Sequence, residues 1–162
     1  MEQYESYHAF MGAPHRSIKH STYFAVYGHL FGPFKNQEIT FVEIGVLDGG
    51  SLFMWRDFFG PKARIIGVDL NPGAARWRDA GFEIHIGSQS DPEFWSEFLK
   101  EVGSVDIVLD DGGHTYLQQI TSFEALIGAV NDGGIYAVED THTSYMRGFG
   151  LSRFMNRSQP SA

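Results

Sequence analysis

The chain has no cysteine, no continuous apolar run approaching the length of a membrane span, no basic run, and no charged-then-apolar leader at its amino terminus. Without cysteine there are no disulfides, and without a long apolar run or a leader neither a membrane span nor secretion is indicated, which leaves the cytoplasm as the expected compartment. The 20 acidic against 12 basic residues give a formal charge of -8. A nucleic-acid backbone is therefore an unsuitable partner, and a small or uncharged substrate fits better. No internal repeat is present, and low complexity is confined to the last residues, Asn156 to Ala162, which read as a frayed polar tail.

What is present suffices for one core: 162 residues, 43% hydrophobic and 15% aromatic, imply a single globular domain. Residues 1–18 mix Tyr, His, Gly and Pro without a clear period, and Ser21 then reads as the cap of a helix carrying Tyr23, Tyr27, Leu30 and Phe31, stopped at Gly32-Pro33. Thr40 to Val46 reads as a buried strand, followed by a glycine turn and a helix from about Ser51 with Leu52, Trp55, Phe58 and Phe59 toward the sheet. Arg64 to Asp69 and Glu83 to Ile86 read as further strands. Asp91-Pro92-Glu93 opens a helix whose apolar face is Phe94, Trp95, Phe98 and Leu99. This aromatic density is core at helical spacing rather than a base-stacking platform. Strand and helix alternate throughout, which predicts an α/β fold with a doubly wound parallel sheet. The expected partition is a helical lid or packing segment at 1–38, a ligand-binding core at 39–145 and a poorly ordered tail at 146–162.

Two acidic tips follow apolar strand-like runs. Ile107, Val108 and Leu109 lead into Asp110-Asp111-Gly112-Gly113-His114, and Ile135 to Val138 lead into Glu139-Asp140-Thr141-His142. Between them lie a helical repeat (Ile120, Phe123, Leu126, Ile127, Val130) and an Asn-Asp-Gly-Gly turn, the parts of a parallel βαβ crossover. Neighbouring strands would bring Asp111, Glu139 and Asp140 together at the sheet edge where α/β folds bind ligands. Carboxylates so close repel unless a cation joins them, and oxygen ligands suit a hard ion such as Mg²⁺.

Glu43-Ile44-Gly45-Val46-Leu47-Asp48-Gly49-Gly50-Ser51 joins the first strand to its helix, with Asp69 ending the next strand 26 residues after Glu43. A turn without side chains lets backbone amides approach a ligand, and an acid at the second strand's end can accept from both hydroxyls of a ribose. Each signal alone has an ordinary reading as a packing turn or a cap. The spacing G-x-x-x-G-G departs from G-x-G-x-x-G, so Val46 and Leu47 would crowd a pyrophosphate and a nicotinamide dinucleotide is disfavoured.

With these residues the sequence resembles the class I S-adenosylmethionine-dependent methyltransferases, and more closely their metal-dependent macrolide and rhamnosyl sugar O-methyltransferase group, some of whose relatives carry the label cephalosporin hydroxylase. The matching segments are Glu43 to Val46 with Gly49, Gly50, Ser51, Leu52, Met54 and Trp55; Gly67-Val68-Asp69; Gly87-Ser88-Gln89 with Asp91-Pro92; and the two acidic tips with Thr143-Ser144-Tyr145. The resemblance implies a Rossmann-like class I core in which Glu43, Gly45, Gly49 and Ser51 surround the amino-acid end of S-adenosylmethionine, Asp69 holds its ribose, and Ser88 and Gln89 lie beside the adenine. It also implies Asp111, Glu139 and Asp140 as Mg²⁺ ligands, Asp110 either behind those ligands or on the cofactor side of them, and His114 as general base.

The implied reaction moves a methyl group to a hydroxyl of a sugar or other vicinal diol of a natural product. A sugar hydroxyl is far less acidic than histidine, whose ordinary pKa is about 6.5, so His114 needs the help of a metal ion that stabilises the developing alkoxide. The family's sheet continues beyond its fifth strand, whereas only 17 residues follow Tyr145. The expectation is a core lacking its final strands, with an exposed edge for another subunit or chain to cover, as in a homo-oligomer. Two rival functions follow from other readings of these residues: a hydrolase or oxygenase with His114, His142 and Asp111 around Fe or Zn, and a truncated, non-catalytic cofactor-binding module.

Overall fold

In the computed structural model, which describes residues 3–146, five strands form one parallel sheet: β1 (Thr40–Ile44), β2 (Arg64–Asp69), β3 (Glu83–Ile86), β4 (Val105–Asp110) and β5 (Val130–Val138), in the order β3-β2-β1-β4-β5. Of the tail expected at 146–162, only Met146 lies within the described residues. The helices are α1 (Glu5–Gly12), α2 (Tyr23–Leu30), α3 (Gly50–Phe59), α4 (Pro92–Val102) and α5 (Tyr116–Leu126). This is the Rossmann-like, doubly wound α/β arrangement expected. The chain builds outward from β1 to β3 and then returns to lay β4 on the other side of β1. A crevice opens at such a reversal of strand order. Register keeps the carboxyl ends level, since Ile44 pairs with both Val68 and Asp110, and Asp110 with Val138.

Strand alternation divides the core. Phe41 enters an aromatic layer, its ring 5.0 Å from those of Trp55 and Phe59, which α3 supplies together with Leu52 and Phe58. Phe24, Tyr27 and Phe31 complete that layer, so the segment around α2 packs as part of the core. Val42 and Ile44 point to the opposite face and meet Trp95 and Phe98 of α4. Each such side chain contributes about 1.5–3 kcal/mol on leaving water. Glu43 has the parity of Phe41, which places a carboxylate inside the aromatic layer without exposure.

The start of α4 follows its sequence signal. Asp91 accepts from the Glu93 N–H at 2.9 Å, and Pro92 fills the first turn, where no donor is missed. Asp91→Ala should lower stability by about 1 kcal/mol. A thermal melt should show a midpoint lower by about 2–4 °C, and an unchanged midpoint would remove the cap from the account.

Four expectations change. Helix α1 occupies part of the stretch that showed no period: its buried residues are only Ser6 and Ala9, while Tyr7 packs edge-on and Phe10 tilted against Phe24. Ser21 is not the cap of α2; Thr22 stands there and makes no side-chain cap bond. Asn131-Asp132-Gly133-Gly134 lies within β5 as an irregularity rather than before it as a turn: the register shifts between Val105 and Ile107, Gly133 is left-handed (φ 80°), and Asn131 Nδ2 donates to Asp106 Oδ1 at 2.8 Å. Finally, the apolar repeat of α5 does not become a buried face. Leu126 is buried, but Ile120, Phe123 and Ile127 are exposed, and it is Ser122 that turns inward. No helix among the described residues is long and apolar enough to cross a membrane.

Candidate active site

The turn after β1 opens the site. Gly45 is left-handed (φ 93°), and a Cβ there would lie 2.2 Å from the carbonyl oxygen of Asp111. Gly49 (φ 83°) packs against the indole of Trp77 with equally little room. Asp69 organises this turn: its Oδ2 accepts from the N–H groups of Val46 (2.8 Å) and Leu47 (3.2 Å), and its Oδ1 from that of Asn71 (2.8 Å). A carboxylate offers about four acceptor positions, so capacity remains on the side that faces the cavity.

That cavity, of about 590 Å³, lies across the carboxyl ends of β1, β2 and β4. Gly45, Ser51, Asp69 and Gln89 line it on one side, and Asp111, His114 and Asp140 on the other. Glu43, Asp110 and Glu139 stand behind this surface, and neither Gly49 nor Ser88 forms part of the wall. Glu43 is bonded from within: Oε2 accepts from Ser51 Oγ (2.7 Å) and Oε1 from Trp55 Nε1 (2.9 Å). Burial raises its pKa, and Lys19, Ser51 and Trp55 oppose the rise. Gln89 donates to both oxygens of Asp110 at 2.7 Å and accepts from the Gly113 N–H at 3.1 Å, so it braces the first acidic tip. The Asp110 carboxyl is likewise raised by burial, against hydrogen bonds from Ser122, Gly112 and Gln89. Ser88 pairs with Ser90 Oγ at 3.0 Å.

Ligand atoms of Asp111, His114 and Asp140 lie within 4.8 Å of one another. His114 Nε2 stands 3.8 Å from Asp111 Oδ1 and 3.7 Å from Asp140 Oδ2, while its Nδ1 is buried without a hydrogen-bond partner. His114 (φ 57°), Asp140 (φ 53°) and Leu47 (φ 49°) are non-glycine residues in the left-handed region, and all three line the cavity. Such strain concentrates where a fold must present particular side chains. Glu139 meets Asp111 at a shared cation: it accepts from Lys19 at 3.3 and 3.4 Å and from the Tyr27 hydroxyl, and lies outside the Asp111, His114 and Asp140 group. Burial raises its carboxyl to about 7 despite the opposing pull of Lys19. His142 is exposed, with Nδ1 3.9 Å from Asp140, and among the described residues it joins no metal-ligating group.

The family described as "Methyltransferase domain" matches residues 42–141, the span from β1 through the second acidic tip. The chain belongs to this methyltransferase-domain family. Among its relatives, the 8-demethyl-8-alpha-L-rhamnosyl tetracenomycin-C 2'-O-methyltransferase of Streptomyces olivaceus is 38% identical over 79% of this chain and 35% of its own length. The mycinamicin VI 2''-O-methyltransferase of Micromonospora griseorubida is 37% identical over 76% of this chain and 32% of its own length. Among solved structures, the MycE methyltransferase from the mycinamycin biosynthetic pathway, in complex with Mg and SAH, superposes with a TM-score of 0.78 at 33% identity, covering 97% of this chain and 44% of that one. The chain thus spans about a third of the length of the curated relatives it matches.

One residue of the site, ahead of the 42–141 span, carries no signal in the sequence. Lys19, whose side chain is without solvent exposure, places Nζ 2.7 Å from Asp111 Oδ2 and 3.3 Å from both Glu43 Oε1 and Glu139 Oε1. Burial alone would lower its pKa, but Glu43, Glu139 and Asp111 together hold it above the ordinary value. A lone lysine in a stretch without periodicity carries no local signal; only the excess of acids at the two tips could have called for an internal cation.

Proposed function

We propose that this methyltransferase domain is the catalytic core of an S-adenosylmethionine-dependent O-methyltransferase that methylates a hydroxyl of a sugar or vicinal diol in a natural product, assisted by Mg²⁺. One observation carries the reading. A single cavity, within the range of about 300–1,000 Å³ common for small-molecule sites, has the glycine turn and Asp69 on one side and Asp111, His114 and Asp140 on the other. The named relatives and the Mg- and SAH-bound MycE structure point to the same chemistry. In this proposal residues 1–38 serve as packing and lid segment, and 39–145 hold cofactor and metal.

The assigned roles follow from position. Gly45 and Ser51, with Glu43 and Gly49 shaping the turn behind them, receive the amino-acid end of the cofactor; Asp69 takes its ribose hydroxyls; Gln89 and Ser88 border the adenine, with Asp110 fixing Gln89. The donor set fits a hard cation: Asp111 Oδ1 and Asp140 Oδ2 present oxygens beside an imidazole whose other nitrogen has no partner. Asp111 and Asp140 would hold the ion, with Glu139 the remaining ligand of the proposed set. When bound, Mg²⁺ supplies the positive charge that makes a sugar hydroxyl easier to deprotonate. His114 Nε2, standing 3.8 and 3.7 Å from two acids, receives the hydroxyl proton, and the cavity walls hold donor and acceptor in line. The same proposal has the protein acting in the cytoplasm, with the outer edge of β5 covered by a second copy or another chain.

Calorimetric titration with S-adenosylmethionine, with and without Mg²⁺ and with NAD as control, tests the reading. Binding of S-adenosylmethionine but not NAD is expected. Asp69→Ala should weaken S-adenosylmethionine about tenfold or more, since hydrogen bonds to a charged group are each worth about 1.5–3 kcal/mol. Binding of NAD in preference to S-adenosylmethionine by the folded chain would overturn the proposal.

A further inference from the structure

Residues 15–19 form a strap across the amino end of α3, between α1 and α2. The His15 ring lies 4.4 Å from that of Trp77 and 5.0 Å from that of Phe53. The Arg16 carbonyl accepts from the Gly50 N–H at 3.2 Å, and Ser17 and Ile18 face the cavity. The strap is seated so closely that a Cβ at Gly50 would lie 2.2 Å from the His15 carbonyl oxygen. At its end Lys19 enters the acidic centre, where Asp111 divides its oxygens: Oδ2 is held by Lys19, while Oδ1 faces His114. One carboxylate therefore touches both the strap and the proposed ion site.

The geometry points to Lys19 as a positioning residue that couples seating of the strap over the cofactor cavity to divalent-ion binding. The inference rests on the Mg²⁺ reading above. With Nζ in place, Asp111 is fixed with Oδ1 toward the ion site, and the buried Glu43 is compensated without drawing on the ion. With the strap lifted, Asp111 loses the partner that orients it, and loss of such a partner typically costs 10–100-fold in metal affinity. Removing one positive charge acts in the opposite direction, so the sign of the change separates an orienting lysine from a competing one. Coupling of this kind is reciprocal: if the seated strap favours the ion, the ion favours the seated strap.

The experiment uses Mn²⁺ as the probe, with free Mn²⁺ read by electron paramagnetic resonance and strap seating by the rate of tryptic cleavage after Arg16. Two variants carry it. Lys19→Met removes the ammonium directly. Gly50→Ala touches no carboxylate and sits at an ordinary helical position, but its methyl displaces the strap backbone, so it remains informative if the buried acids prevent Lys19→Met from folding. The expected result is that Mn²⁺ slows cleavage of the parent chain, that Gly50→Ala is cleaved faster, and that it binds Mn²⁺ about tenfold more weakly. A Gly50→Ala chain that is cleaved faster yet binds Mn²⁺ unchanged, or a Lys19→Met chain that binds it more tightly, would overturn the coupling while leaving the metal reading intact. Failure of the parent chain to bind Mn²⁺ at all would overturn both.

Discussion

Asp111→Ala is expected to reduce methyl transfer by roughly a thousandfold or more while leaving S-adenosylmethionine affinity, measured without metal, within about threefold. The separation follows from where its atoms lie. The carboxylate contacts Lys19 and His114, Asp69 ends β2 on the other side of β1, and the Asp111 backbone N–H remains bonded to the Ile44 carbonyl at 2.9 Å whatever the side chain. The fold should survive, because Lys19 keeps Glu43 and Glu139 as partners. Truncating an isolated buried pair commonly costs about 3–5 kcal/mol, and the two remaining acids make that loss smaller here. Single-turnover methyl transfer to a sugar acceptor, together with calorimetry on the same sample, checks both halves. Equal loss of cofactor affinity in Asp69→Ala and Asp111→Ala would contradict the division of labour between the two sides of the cavity.

Gly45→Ala should be the most damaging single-methyl change. The residue sits at φ 93°, where an L side chain is strained by about 1–2 kcal/mol, and the new Cβ would lie 2.2 Å from the Asp111 carbonyl oxygen and 2.9 Å from its carbonyl carbon. Relief requires a backbone shift, as in overpacking that costs about 1–3 kcal/mol. Together these give a loss of about 2–5 kcal/mol and a melting midpoint lower by about 5–15 °C. Any shift separates the glycine turn from the first acidic tip, so ligand affinity should fall even in the fraction that folds. Gly50→Ala, also in this turn but with an ordinary backbone, serves as the comparison. A Gly45→Ala chain as stable as its parent would mean that β1 and β4 tolerate more play at their tips than the packing implies.

How far the sequence could be read depended on whether a signal was local. Strands β1 and β2 announced themselves as apolar runs bounded by turn residues, and Asp91-Pro92-Glu93 contained the entire chemistry of the α4 start. That Asp111, His114 and Asp140 share one edge followed from placing both acidic tips at carboxyl ends of strands, which requires only parallel topology. Glu139 was harder. It immediately precedes Asp140, but its partners Tyr27 and Lys19 come from the far end of the chain and draw it inward. Helix α1 lacked a clear stripe because Tyr and Phe serve it as much through ring contacts as through burial. The Asn-Asp-Gly-Gly segment carries real turn chemistry and still sits in β5, because Asp106 captures Asn131 and the extra residues are absorbed as a kink. In α5 the periodicity was correct but did not imply burial: Ile120, Phe123 and Ile127 follow helical spacing yet stay exposed, with Phe123 set edge-on to the Tyr136 ring at 5.2 Å.

The acidic centre also has a consequence for how the chain reaches its native state. Lys19 meets Asp111 across 92 residues of sequence and Glu139 across 120. Contacts so distant close late, after the entropy of long loops has been overcome by pairing of the intervening strands. An intermediate with β1 through β4 assembled but β5 undocked would hold Lys19 near Glu43 without Glu139 in place, which leaves the charge pattern unfinished at the middle of the sheet. Docking of β5 completes it in one step, so the segment around Lys19 and β5 are joined by electrostatics rather than by adjacency. A ligand that recognises only the finished centre would then act on the folding equilibrium as a seal, holding together two ends of the chain that share no strand pairing.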